Sequence, residues 1–123
     1  MNLKNIDMED MLNALAPLLE RRDVIGFAAA RNARLLSTEL TEYMVAKNEL
    51  IEEYGDPIVD ESGNETGGSS ISVDSPRFAE FAEKLEPLAA LECDFEPFRI
   101  KFESAIGELS GTELLALDWM FEE

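Results

Sequence analysis

Apolar residues recur at helical spacing over most of this chain and at alternate positions over one short stretch. Met8, Met11, Leu12, Leu15, Leu18 and Leu19 form one stripe, which predicts a helix from about Met8 to Arg22 capped by Asp7. Pro17 falls inside it and removes a ladder donor, so the run should kink or split into two short pieces. Asp23 then caps the longest predicted helix, about residues 24 to 54, which Gly55 and Pro57 end. Its stripe of Ala29, Ala33, Leu36, Leu40, Tyr43, Lys47, Leu50 and Tyr54 is close to a heptad, widened by Met44 and Ile51. Packing against the protein's own elements is one use for that stripe, and an intermolecular helix pair is the other.

Past Gly55 the pattern changes. Ile58-Val59 and Ile71-Ser72-Val73 read as two short strands, and the Gly, Ser, Asn and Glu between them predict a mobile loop over residues 60–70. Ser75-Pro76 opens a further helix, with Phe78, Phe81, Ala82, Leu85, Leu88 and Ala89 on its buried side to about Leu91 and a kink expected at Pro87. Phe98, Ile100 and Phe102 alternate with Arg99 and Lys101, the pattern of a half-buried strand. Cys93 and Phe95 alternate in the opposite phase, so Glu96-Pro97 is expected to mark a bulge or bend. Ser110 and Glu113 fit a capping box that opens a last helix through Leu114, Leu117 and Met120. The predicted order is α-α-β-β-α-β-α, an α+β fold that is mostly helical, in a single domain spanning residues 1–123.

Charge sharpens this picture. Residues 1–38 hold five acids and five basic residues, whereas residues 39–65 hold nine acids against one base and residues 66–123 thirteen against four. The whole net charge of −17 therefore arises after residue 38. A field of that sign repels nucleic acid and anionic membrane, and attracts proteins that present a basic groove. With 46% apolar residues the chain is nonetheless rich enough to fold.

Several chemistries are excluded or weakened. Histidine is absent, which removes the commonest general base and metal ligand, and with Cys93 as the one cysteine neither an internal disulfide nor a usual zinc site can form within one chain. No apolar run approaches the roughly 20 residues needed to span a bilayer, and no signal-peptide core follows Met1, so a cytoplasmic location is expected. Asp60 to Ile71 does not fit an EF-hand, because Glu65 stands where glycine is needed and Ile71 where the closing Glu is needed. No cofactor, no metal and no enzymatic activity are expected.

The long helix Val24 to Tyr54 with Gly55 and a glycine-rich hairpin, followed by Phe95 to Met120 with its Phe-Arg-Ile-Lys-Phe strand, resembles a family of small acidic proteins encoded by phages and prophages of Gram-positive bacteria. Those segments cover about two-thirds of the chain. The family is of unknown function, so the resemblance implies a phage setting and no site residues.

Two clusters are candidates for chemistry. Glu39, Glu42, Glu49, Glu52, Glu53 and Asp56 lie along the second half of the long helix, and Asp60, Glu61 and Glu65 continue the sign into the loop. On a straight helix Glu42, Glu49, Glu53 and Asp56 fall on one face. Carboxylates about 5–6 Å apart there imitate, sparsely, the phosphates of duplex DNA. The other reading of this face is a solvated surface kept acidic for solubility. Arg21, Arg22, Arg31 and Arg34 form the second cluster, an anion pocket or a set of ion pairs with acids of neighbouring elements. Trp119-Met120-Phe121 is the third feature: three large residues in a row cannot all face inward from one helix, so one is expected to meet a dimer mate or another protein.

Together these point to an anti-defence inhibitor of the anti-CRISPR kind. It would bind the basic nucleic-acid groove of a host protein through a phosphate-mimicking surface, without binding nucleic acid or membrane itself. An assembly factor acting by helix-mediated oligomerisation, including a homodimer, is the alternative. A sponge for nucleotide signals on the arginine cluster is the third.

Overall fold

A computed structural model describes residues 1–122, the side chain of Glu65 excepted. The fold is α+β, dominated by helix, and its order follows the expected one with additions. Chain contacts gather into two compact units, Met1–Leu40 with Glu92–Glu123, and Thr41–Leu91. The long helix runs through both.

In the first unit, strand β1 (Asn2–Lys4) leads into helix α1 (Asn5–Leu15), and a 3-10 turn follows at Ala16–Leu18. Pro17 therefore splits the run into two pieces, as a missing ladder donor requires. The cap expected at Asp7 is superseded: α1 begins at Asn5, three residues before the expected Met8, directly off β1. Helix α2 (Val24–Tyr54) starts where Asp23 places it, with the Asp23 carboxylate accepting from the Gly26 N–H at 3.0 Å. Ile25, Ala28, Ala29, Leu36 and Leu40 on α2 are buried, together with Met8, Leu15, Leu18, Phe95, Leu117 and Met120.

The C-terminal stretch departs most from the sequence reading. Instead of one strand over 98–102 with a bend at 96–97, there are two strands in two different sheets. Strand β4 (Glu92–Asp94) pairs antiparallel with β1, Leu3 opposite Cys93. Strand β5 (Ile100–Lys101) pairs parallel with β6 (Phe121–Glu122). Phe102 begins a 3-10 turn rather than extending the strand. Helix α4 (Gly111–Ala116) is opened by the full capping box: the Glu113 N–H donates to Ser110 Oγ at 3.1 Å and the Ser110 N–H to Glu113 Oε1 at 3.0 Å. It stops short of Met120. Asp118–Met120 form a 3-10 turn, so Trp119, Met120 and Phe121 do not share a helix. Met120 and Phe121 are buried and Trp119 half-buried, which removes the geometric reason for expecting one of them at a partner.

In the second unit, α2 continues to Tyr54 and ends at Gly55, whose N–H bonds to the Ile51 carbonyl at 2.7 Å. Strand β2 (Asp56–Val59) turns back through residues 60–64 into β3 (Glu65–Ser70), pairing antiparallel with a register shift between Pro57 and Val59. The second strand is therefore not Ile71–Val73, and it occupies part of the stretch expected to be loop. Gly67, at φ +88°, supplies the left-handed residue where the register shifts. Gly55 is required by close approach: a Cβ there would sit 2.4 Å from the Ser70 carbonyl oxygen. Helix α3 (Phe78–Ala89) follows, its first buried residue Phe81 packed 6.0 Å from the Phe78 ring, with Pro87 inside it. The Arg77 guanidinium stacks over the Tyr54 ring at 4.7 Å, tying the approach to α3 onto the end of α2.

Candidate functional site

The acidic set does not stay together as the helical spacing implied. Glu42, Glu49, Glu52 and Glu53 are all exposed on α2 within the second unit. Helix α2 runs unbroken through these positions, which keeps Glu42, Glu49 and Glu53 on one face with Glu52 beside it. Glu39 belongs to the first unit, where Oε2 accepts a long contact from the Cys93 thiol at 3.8 Å. Burial, followed by the nearby Glu39 carboxylate, pushes that thiol above its ordinary pKa. Asp56 lies past the helix end as the first residue of β2, so its alignment with Glu42, Glu49 and Glu53 does not hold.

Asp60 has a structural task. Its Oδ1 accepts from the Ser62 and Asn64 N–H groups at 2.9 and 3.0 Å, building the turn between β2 and β3. Glu61 is exposed in the same turn, and the Glu65 side chain lies outside the described residues. Among the described residues, Glu42, Glu49, Glu52, Glu53, Asp56 and Glu61 form no ion pair. Glu49 and Glu53 border a recess of about 330 Å³ with Ala46, Leu50 and, from α3, Lys84, Pro87 and Leu88. The last turn of α2 carries no basic residue.

The arginines also part company. Arg21 is committed to structure: its guanidinium bonds the Asp23 carboxylate and reaches Glu108 at 2.9 Å. The hydrogen bond from Arg21, reinforced by the Gly26 N–H, holds the Asp23 carboxyl at about 2, and the two acids raise Arg21 in turn. Arg22 is exposed. Arg31 and Arg34 are exposed one turn apart on α2, and among the described residues neither forms an ion pair. Arg31 lies over the Phe98 ring at 4.9 Å, and Phe98 meets Phe27 edge-on at 5.8 Å between centroids. Phe27, Ala30, Arg31 and Arg34 line a recess of about 300 Å³.

Sequence reasoning missed the residue that holds this corner. Among the described residues Asn32 stands alone as a fully buried polar residue. Its Nδ2 donates to the Phe98 carbonyl at 2.8 Å while its Oδ1 accepts from the Phe98 N–H at 2.8 Å. One side chain thus satisfies both backbone groups of a residue 66 positions away. Its position on the buried side of α2, next to Ala28, Ala29 and Leu36, was the available signal. At the chain start, the Met1 ammonium bonds Asp94 and Glu96 at 3.2 Å each; the two carboxylates raise its pKa, and its one charge is shared between them.

Among the described residues no group of three or more acids or thiols is placed to hold a metal ion, and no helix is long and apolar enough to cross a membrane. Comparison with models of protein families, with curated proteins and with solved structures finds nothing that matches this chain.

Proposed function

We propose that this chain is a non-enzymatic inhibitor that occupies a basic nucleic-acid-binding groove on a host protein. On this reading it is encoded by a phage and acts against a defence nuclease of the CRISPR kind. Glu42, Glu49, Glu52 and Glu53 are the contact, standing where phosphates would lie. Glu39 lies in the first unit, Asp56 opens strand β2 and Asp60 holds the turn after it, and all three are exposed. Glu61 remains as an outlying charge.

The observation that carries this reading is the set of exposed carboxylates on α2 that meet no cation among the described residues. Such a face costs folding energy. Glu49 and Glu53 repel at i,i+4 by a few tenths of a kcal/mol, and Glu52 and Glu53 oppose the macrodipole in the last turn. A helix shaped by folding alone would carry lysine or arginine there. The cost makes sense if the charges act on a partner.

The test is a charge-reversed variant, Glu42→Lys with Glu49→Lys and Glu53→Lys, compared with the native chain in affinity capture from a host extract at low and high salt. The reading expects a nucleic-acid-binding protein that elutes with salt and does not bind the variant, whose circular dichroism stays native and whose melting temperature does not fall. Equal capture by the variant removes the α2 face as the interface.

A further inference from the structure

The recess formed by Phe27, Ala30, Arg31 and Arg34 has no part in the acidic face, and it carries the opposite charge. Positions 27, 30, 31 and 34 are spaced by three and four, so they line one face of α2. Ala30 is the small residue of the four and leaves room between the larger side chains. In a chain with 27 acids and 10 basic residues, two adjacent guanidiniums without a carboxylate partner among the described residues need a reason.

The acids that share a recess with Arg34 form no ion pair with it. Arg34 also borders a second recess with Glu39, Asp94 and Glu96, but Asp94 and Glu96 bind the Met1 ammonium at 3.2 Å. Glu96 further approaches Arg99 at 3.9 Å. Glu39 faces the Cys93 thiol.

The aromatic half of the recess is equally unsatisfied. Phe27 is 60% exposed, and its one ring contact, with Phe98, is edge-on at an interplanar angle of 75°. A ring so exposed keeps a face open to solvent. Phe98 in turn carries the Arg31 guanidinium at 4.9 Å, and Asn32 fixes the Phe98 backbone. That cation–π contact uses the flat face of the guanidinium and leaves its in-plane N–H donors for an anion. Arg31 and Phe98 are thus positioned before any ligand arrives. Its volume lies at the lower end of the roughly 300–1,000 Å³ typical of small-molecule pockets.

We infer that this face binds a purine nucleoside monophosphate, the base stacking on Phe27 and the phosphate bridging Arg31 and Arg34. A planar ring joined to a dianion is the ligand class that satisfies an open aromatic face and two free forks at once. The inference does not rest on the inhibitor reading, because it uses different residues and a ligand rather than a protein. The long-range field of the −17 chain opposes any anion, so the affinity is modest and the local contacts carry it.

The experiment is a calorimetric or NMR titration of the full chain with AMP and GMP, with adenosine and inorganic phosphate as the two halves. The expected result is saturable binding of a nucleotide at millimolar concentration or below, with chemical-shift changes at Phe27, Arg31 and Arg34, and weaker binding of either half alone. Phe27→Leu should weaken AMP by about tenfold while leaving phosphate unchanged, as loss of one base–aromatic stack implies. Arg31→Gln with Arg34→Gln should abolish both, while circular dichroism and the amide spectrum away from the recess stay native. Phosphate binding as tightly as the nucleotides, no saturation by either nucleotide, or full binding by the arginine variant would each overturn the inference.

Discussion

Replacing Asn32 by Leu is the sharpest probe of the first unit. The two side chains share a heavy-atom count and branching pattern and Leu is the larger, so no cavity opens, yet Leu can neither donate to nor accept from Phe98. The Phe98 N–H and carbonyl, each bonded at 2.8 Å in the native chain, are left in a part-buried site without partners. An orphaned group of this kind costs about 1–3 kcal/mol, so the pair amounts to about 2–6 kcal/mol. Partial access of water to Phe98 favours the lower half of that range. Total stabilities of about 5–15 kcal/mol make even 3 kcal/mol a large fraction, equivalent to roughly 10–15 °C in melting temperature for a chain of this size. Urea unfolding followed by the fluorescence of Trp119 reads the midpoint, and an unchanged slope assigns the shift to the folded state. Asn32→Asp supplies a second reading. A carboxyl there faces the Phe98 carbonyl, so its neutral form is favoured in the folded state and its pKa is raised. That variant is therefore most stable at low pH and loses stability as pH rises from the unfolded carboxylate value toward the raised one. If Asn32→Leu unfolded within about 0.5 kcal/mol of the native chain, the size of an ordinary surface change, the clamp on Phe98 would not be what holds that segment.

Three further outcomes follow from the same structure. The Asp23 carboxyl is held at about 2 by Arg21 and the Gly26 N–H, so its contribution is complete above about pH 5 and fades as pH falls toward 2; Asp23→Asn should therefore lower stability at neutral pH, have less effect near pH 2, and flatten that part of the acid-unfolding curve. Gly55→Ala should destabilise the second unit, because the new methyl would meet the carbonyl oxygens of Ser70 and Ile51 at 2.4 and 2.5 Å; amide shifts confined to residues 50–70 would show the strain, and unchanged spectra would contradict it. Melting temperature should rise from low to moderate salt as self-repulsion of the −17 chain is screened, and a fall would mean the acids are mostly paired.

What could be read from the sequence was what local chemistry decides. Asp23 and Gly55 bound α2 within a residue because a cap and a stop act on their own turns. Pro17 divides the first helical run and the Ser110–Glu113 box opens the last one for the same reason. Pairing at a distance was not legible. Strand β1 has three residues with one apolar side chain, and it exists because β4 lies opposite some 90 positions later. Strands β5 and β6 are two residues each, too short for any periodicity. The second hairpin strand was misplaced because Ile71-Ser72-Val73 carries the β-branched signal, whereas the real strand, Glu65–Ser70, is glycine and hydroxyl residues held by its partner. Of the candidate residues, Glu42, Glu49, Glu52 and Glu53 kept the exposure the pattern implied. Asp56 lies past the helix end in β2, where helical spacing no longer applies, and Arg21 went to Asp23 and Glu108. Asn32 lies on the apolar side of α2, which marks it as buried, but only Phe98 gives it a role.

Competition against duplex DNA tests the central claim most directly. With the partner retained by the native chain, a labelled duplex is bound first and the chain titrated in at several salt concentrations. A phosphate-mimicking α2 face predicts full displacement of the duplex, weakening as salt rises, and none by the Glu42, Glu49 and Glu53 charge-reversed variant. A ternary complex of partner, duplex and chain, or displacement that the variant performs equally well, would contradict it.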